Sequence, residues 1–169
     1  MARRALNRYG FTLIELIMVV GLLVILAAIA IPNFIDFRKD AKNSTTQAAL
    51  GTLRSAVVIA SASIQLKEDP SKPTSKFPTF EEMKANSFSD AHPVLKGNII
   101  VEGPNGIPKN PWTQATLPAS QANKIFNCPG PKGTPHPTET NQGWCYLEST
   151  GEVWANSNLN GDSSAENTF

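Results

Sequence analysis

Histidine and cysteine are scarce in this chain, with two of each among 169 residues. There is no Cys-x-x-Cys pair, and His92 and His136 are the only other soft ligands, so the sequence does not predict a zinc site. No Ser/His/Asp or Cys/His motif is present, and no glycine-rich phosphate loop follows a predicted strand. An enzyme would need a set of polar side chains that converge on one site, and the sequence shows no such set. We therefore expect a protein without an enzymatic activity of its own.

Net charge is also small. The chain has 15 lysines and arginines against 14 acidic residues. Three of the basic residues, Arg3, Arg4 and Arg8, lie before Gly10, and no acidic residue lies there. The chain from Gly10 onward therefore carries 12 basic and 14 acidic side chains. This near-neutral balance argues against a protein that binds nucleic acid by electrostatic attraction.

A long apolar run lies near the N-terminus and ends at Pro32. As a helix, the segment 11–31 would rise about 31 Å, enough to cross a bilayer core. A plain signal anchor would explain this length and the arginines before it. It would not explain Glu15, because a carboxylate at membrane depth is costly and marks a functional site by default. No small-residue cleavage site follows the run, which disfavours an ordinary secretory signal.

The stretch Gly10-Phe11-Thr12-Leu13-Ile14-Glu15, continued to Ile29-Ala30-Ile31-Pro32-Asn33-Phe34, resembles the N-terminal segment of type IV prepilins and type II secretion pseudopilins. The resemblance is strong over about the first 55 residues. It implies cleavage after Gly10 by a prepilin peptidase, N-methylation of Phe11, and a homopolymeric filament held by packed N-terminal helices. It also implies a single-pass precursor in the inner membrane, which pilus or type II secretion machinery assembles into an extracellular pilus.

Two residues of this motif, Glu15 and Gly10, each allow two interpretations, and the proline after the apolar run has a structural effect of its own. Glu15 can pair with the new amine at Phe11 of an adjacent subunit and fix its register, or it can direct its carboxylate to water at the membrane boundary. Gly10 allows a peptidase to approach the backbone closely, or it is a flexible hinge. Pro32 should kink or soften the assembly helix, because it cannot donate an amide hydrogen bond.

The helical pattern extends beyond the apolar run. Ala49, Leu53, Ala56, Ala60 and Ile64 lie on one helical face, which predicts a single helix from about residue 11 to residue 66. We divide the chain into a leader (1–10), a transmembrane and assembly helix (11–32), its amphipathic continuation (33–69) and a β-rich globular head (70–169). The predicted fold class is α+β, with a small antiparallel sheet packed on the C-terminal half of the helix.

In the head, Thr79 and Glu82 form a capping-box pattern that predicts a short helix. Apolar and β-branched runs predict four strands, at 98–102, 124–128, 143–147 and 152–156. The last two should form a hairpin around Ser149-Thr150-Gly151.

Cys128 and Cys145 lie in the part of the chain expected beyond the membrane. An oxidising compartment and an even count favour a disulfide between them. In many type IV pilins, two C-terminal cysteines bracket a surface loop, and this pair resembles them.

The C-terminal tail resembles a calcium-binding loop, the only cofactor site that the sequence suggests. Its oxygen ligands would be Asn156, Asn158, Asn160 and Asp162, with Gly161 at the sixth position. The expected aspartate at the first position and glutamate at the twelfth are absent, so any affinity would be weak, about 0.1–1 mM. The alternative is a flexible terminus rich in Asn, Gly and Ser.

The predicted function is that of a structural subunit of a type IV pilus-like filament. One alternative is a major pseudopilin of type II secretion, which forms a short periplasmic pseudopilus; the tail and the stretch Pro108-Lys109-Asn110-Pro111-Trp112 favour it. Another is a minor pilin that acts as a tip adhesin or DNA receptor.

Overall fold

The computed structural model describes residues 10–66, 76–89, 95–102 and 106–157. Its elements are helix α1 (Leu13–Leu66), helix α2 (Phe80–Ala85), a 3-10 turn (Ala119–Gln121) and strands β1 (Ile125–Asn127), β2 (Trp144–Leu147) and β3 (Glu152–Ala155). The α+β prediction is confirmed. The residues before Gly10, the predicted end of the long helix near 68–70, and His92 lie outside the described residues.

The chain divides into two units, Met1–Asp40 and Ala41–Phe169. In the first unit, α1 runs without interruption through Pro32. By length and composition α1 could cross a membrane, and none of the side chains in its most apolar stretch is buried. After Pro32, the side-chain amide of Asn33 donates to the Ile29 carbonyl at 3.4 Å.

In the second unit, α1 buries one face against the sheet. Leu50, Leu53 and Val57 are almost completely buried and belong to one hydrophobic cluster with Trp144 and Tyr146. These helix positions recur at the 3.6-residue period, so they point to the same side. The predicted amphipathic face is therefore the core face of the head.

The sheet has the order β1-β2-β3 and is mixed. β2 and β3 form the predicted antiparallel hairpin, with Cys145 opposite Trp154. β1 pairs with β2 in parallel, with Ile125 opposite Trp144, so the prediction of a wholly antiparallel sheet was wrong. A parallel pair needs a connection of a dozen or more residues, and the segment 128–143 provides that length.

The predicted strand at 98–102 is the second difference. Only Ile99 makes a bridge, an isolated antiparallel one to Ser87. The Asn86 side chain accepts from the Val101 amide at 2.7 Å and donates to its carbonyl at 3.1 Å. A side chain thus satisfies backbone groups that a neighbouring strand would otherwise bond.

The capping box of α2 is confirmed. The Thr79 amide donates to Glu82 Oε2 at 2.9 Å, and the Glu82 amide donates to Thr79 Oγ1. The Tyr146 hydroxyl donates to the Pro78 carbonyl at 2.6 Å and ties the sheet to the segment before the helix. Burial raises the pKa of Tyr146, and the negative charges of Glu148 and Glu82 raise it further.

Candidate assembly site and disulfide loop

The predicted cleavage junction, Gly10-Phe11, is open. Among the described residues, no atom lies within 4 Å of where a Cβ on Gly10 would be, and Phe11 is 80% exposed. A peptidase could therefore approach this backbone without moving any described part of the chain. The junction lies three residues before the first residue of α1.

Thr12 and Glu15 close the N-terminus of α1 as a capping box. The Thr12 amide and hydroxyl donate to Glu15 Oε2 at 2.9 and 2.7 Å, and the Glu15 amide donates to Thr12 Oγ1 at 3.4 Å. The carboxylate thus lies where the unpaired amides of the first helical turn favour negative charge. The sequence analysis missed Thr12, although Thr-x-x-Glu is the same signal that located α2.

This arrangement leaves one oxygen of the Glu15 carboxylate, Oε1, available to accept a further hydrogen bond. Both bonds from Thr12 go to Oε2, and no described residue donates a hydrogen bond to Glu15 Oε1. A carboxylate offers about four acceptor positions on its two oxygens. Glu15 can therefore cap its own helix and accept from an external amine at the same time.

The apolar surface around this site is extensive. Leu13, Ile17, Leu26 and Phe37 are all more than half exposed, as are most large apolar side chains between them. Pro32, which we predicted to take part in assembly, lies within this surface and is itself exposed. Within the described residues, nothing covers this part of α1.

In the head, the disulfide joins Cys128 and Cys145, as predicted. It connects the end of β1 to the middle of β2 and closes the segment between them, which we call the disulfide loop (129–144). Both cysteines are buried with Phe126 and Trp154 in a second, smaller apolar cluster. The Trp154 indole donates to the Thr134 carbonyl at 3.0 Å and holds the loop against this cluster.

Asn156 is a second anchor of the disulfide loop. It is completely buried; its Oδ1 accepts from the His136 amide at 2.8 Å, and its Nδ2 donates to the carbonyls of Glu139 and Gln142 at 2.7 and 2.9 Å. The predicted first calcium ligand is thus the residue that fastens the loop. A buried asparagine gives no sequence signal for this role, because its partners are backbone groups distant in sequence.

The other predicted calcium ligands, Asn158, Asn160 and Asp162, lie outside the described residues. Within the described part of the chain, no group of three or more His, Cys, Asp or Glu side chains could hold a metal ion. The oxygen of Asn156 is directed at an amide of the loop. The calcium site therefore stays a prediction, in which Asn156 would have to leave its loop contact to bind the ion.

Comparison with known proteins adds a family motif. Residues 6–31 match the model of the prokaryotic N-terminal methylation motif. The match includes Gly10, Phe11 and Glu15. No solved structure matches the chain.

Three curated proteins are similar to parts of the chain. The type IV major pilin protein PilA of Myxococcus xanthus is 55% identical over 47 residues, 28% of this chain and 21% of that protein. The type IV narrow pilus major component PilA5 of Thermus thermophilus is 43% identical over 61 residues, 36% of this chain and 51% of that protein. The type IV wide pilus major component PilA4 of the same organism is 48% identical over 44 residues, 26% of this chain and 34% of that protein.

The chain spans about half or less of the length of these relatives. The chain carries the prokaryotic N-terminal methylation motif and is partially homologous to type IV major pilins.

Proposed function

We propose that this chain is a structural subunit of a type IV pilus-like filament, a major pilin. The observation that carries the proposal is the exposed apolar surface of α1 between Leu13 and Phe37. A soluble monomer rarely exposes so large a continuous apolar surface, because contact between apolar side chains and water is unfavourable in free energy. Before assembly a membrane would cover it, and in the filament the same helices of neighbouring subunits would cover it.

Hydrophobic burial would hold the filament together once it lies outside the membrane, whereas helix packing drives the exchange of lipid contacts for helix contacts. Burying one Leu, Ile, Val or Phe side chain completely contributes about 1.5–3 kcal/mol. A dozen such side chains, even partly covered, would exceed the roughly 4–15 kcal/mol that association costs in lost freedom of motion. The globular head does not need to supply the main interface and can form the outer surface.

Maturation would begin at the open junction described above. Prepilin peptidase would cleave after Gly10, and methylation would modify the new amine of Phe11. A glycine at this position lets the peptidase's groups approach the scissile carbonyl without meeting a side chain. Gly10→Val should leave the precursor inserted but uncut, which mass spectrometry of the membrane fraction would detect.

Glu15 would give the assembly its register. Its free Oε1 can accept from the positively charged amine of Phe11 on an adjacent subunit, while Oε2 keeps the Thr12 bonds. In a medium as apolar as packed helices, an ion pair between the two would be strong and an unpaired carboxylate costly. A subunit displaced along the axis would lose this pair.

The test compares Glu15→Ala with Asp36→Ala, which removes another exposed carboxylate from the same unit of α1. We expect both variants to be inserted and processed, and only Glu15→Ala to lack filaments under the electron microscope. Normal filaments from Glu15→Ala would contradict the proposed role of Glu15.

A second experiment distinguishes a pilus subunit from a pseudopilus subunit. The gene is deleted, and surface fibres and secreted proteins are examined in the same cultures. We expect loss of long surface fibres with normal export. Intact fibres with lost export of folded proteins would assign the chain to type II secretion and contradict the pilin proposal.

A further inference from the structure

A groove in the second unit lies between α1 and the segment 97–102. Two adjoining clefts, of about 710 and 530 Å³, form this groove. Ile59 of α1 lines both clefts, and so do Ile99, Ile100 and Glu102 of the facing segment. The clefts are therefore continuous, and we call them together the head groove.

The head groove exposes apolar side chains to solvent. Ile59 and Ile99 are 66% and 61% exposed, although isoleucine is among the residues most often buried. Together with Val58 and Leu66, they are the large apolar side chains that are exposed among the described residues of the second unit. The exposed apolar surface of this unit is thus concentrated at the groove and on the helix beside it.

Small residues form the helical side of the first cleft. Gly51 and Ser55, one helical turn apart, both line it. A Cβ placed on Gly51 would meet no described atom within 4 Å, so the space above this residue is open. Small side chains at such positions let a second helix approach closely. The groove can therefore accept large side chains projecting from another helix.

The head groove carries one charge. Glu102 is the only charged side chain that lines either cleft, and it is exposed. No described residue forms an ion pair or a hydrogen bond with its carboxylate. A matching occupant would combine large apolar side chains with one positive charge.

The first unit of the chain has such a surface. Phe34 and Phe37 of α1 are 67% and 68% exposed, and Arg38, which follows them, is also exposed. Their spacing of three and four residues places them on one face of the helix, whereas Asp36, two residues after Phe34, faces elsewhere. Arg38 has no ion pair among the described residues. We call Phe34, Phe37 and Arg38 the basic aromatic face.

A membrane does not account for the basic aromatic face. The apolar segment 11–31 already spans a bilayer core of about 30 Å. Phe34 and Phe37 come after Pro32, so they lie at or beyond the boundary of that core. These aromatic side chains need a protein surface to cover them.

We propose that the head groove of one copy binds the basic aromatic face of a second copy of this chain. Phe34 and Phe37 of the second copy would pack against Ile59 and Ile99, and its Arg38 would pair with Glu102. The proposal rests on the proposed filament function and adds to it a second contact between subunits, formed by different residues from those at Glu15.

The polarity of this contact suits a filament. Its two surfaces are different, so each copy can bind one neighbour through its groove and another through its basic aromatic face. A contact of this heterologous kind repeats into an open helical polymer when its rotation does not close a ring. Inside such a polymer, both surfaces of every subunit would be covered.

Cross-linking in assembled filaments tests the contact directly. Cells would produce two full-length variants together, Phe37→Cys and Ile99→Cys, and copper–phenanthroline would oxidise the sheared filaments. The native cysteines are buried in their disulfide, so the introduced thiols are the reactive ones. We expect a disulfide-linked dimer on a non-reducing gel. Lys109→Cys, at an exposed position outside the groove, should give no dimer with Phe37→Cys.

A charge exchange tests the ion pair without introducing thiols. Arg38→Glu and Glu102→Arg should each lower the yield of sheared filaments at least about threefold, with equal amounts of inserted precursor. The variant with both substitutions should recover most of the yield, because it restores the pair with its charges reversed. Lys39→Glu makes the same change in net charge outside the basic aromatic face and should have no effect.

Three results would overturn the proposal while leaving the filament function intact. One is filaments from the Phe37→Cys and Ile99→Cys cells that give no dimer. Another is a dimer from Ile99→Cys alone, which would show that grooves meet each other. The third is no recovery of yield when the two charges are exchanged. Surface fibres that persist when the gene is deleted would instead contradict the proposed function itself.

Discussion

Replacing Asn156 by alanine should destabilise the head strongly, because this side chain fastens the disulfide loop. The variant loses three hydrogen bonds of 2.7–2.9 Å, to the backbone of His136, Glu139 and Gln142. A buried polar group left without a partner costs about 1–3 kcal/mol. Glu139 is exposed, so water can replace its bond, whereas Gln142 is buried. We therefore expect Asn156→Ala to lower the free energy of unfolding by about 2–3 kcal/mol.

The measurement is urea unfolding of the full chain in micelles, followed by near-ultraviolet circular dichroism. Trp154 reports on the loop directly, since its indole donates to Thr134. Asn123→Ala is the matched control, because the Asn123 side chain makes no hydrogen bond among the described residues. Its free energy of unfolding should stay within about 0.5 kcal/mol of the wild type.

Asn156→Asp separates the loop anchor from the predicted calcium ligand. A carboxylate can still accept from the His136 amide, but it cannot donate to the carbonyls of Glu139 and Gln142. We expect this variant to be as unstable as Asn156→Ala, with or without millimolar calcium. Stability restored by calcium, or a loss below about 0.5 kcal/mol in Asn156→Ala, would refute the reasoning.

Three further predictions concern the disulfide, the helix cap and pH. The double variant Cys128→Ala/Cys145→Ala should lose about 3 kcal/mol of stability, and a reductant should lower the melting temperature of the wild type but not of the variant; equal sensitivity would contradict this. Thr12→Val should raise hydrogen exchange at the Glu15 amide in micelles, while Thr12→Ser should not; unchanged exchange in Thr12→Val would show that the cap is unimportant. The raised pKa of Tyr146 means that the folded state holds the phenolic proton more tightly than the unfolded state, so this contribution to stability is complete below about pH 10 and lost at higher pH. Urea midpoints should therefore fall above that pH in the wild type and fall less in Tyr146→Phe; equal slopes would contradict the assignment.

Much of the fold follows from short-range signals in the sequence. The continuous apolar run, the face through Leu53 and Ala60, and the capping box at Thr79 and Glu82 predicted both α-helices. Each of these signals lies within a few residues of the element it specifies. The hairpin of β2 and β3 was predicted for the same reason, because its turn residues lie between its two strands.

The candidate assembly site was also largely predictable. Gly10, Phe11 and Glu15 form a compact motif, and the apolar run that follows it contains no polar side chain. What the sequence analysis did not provide was the geometry of Thr12, which occupies one oxygen of Glu15 and leaves the other free. Two groups so close in sequence could have been recognised from the pattern alone.

Only the tertiary structure decided the contacts between distant segments. The parallel pairing of β1, the burial of Asn156 under the disulfide loop, and the satisfaction of Val101 by Asn86 each join residues that no periodic pattern links. Local sequence determined which segments form helices and which form the hairpin, because propensity, capping and turn chemistry act over a few residues. The partners of the remaining backbone groups depended on which groups the folded head brought together, and buried polar groups must find such partners wherever they lie in the chain.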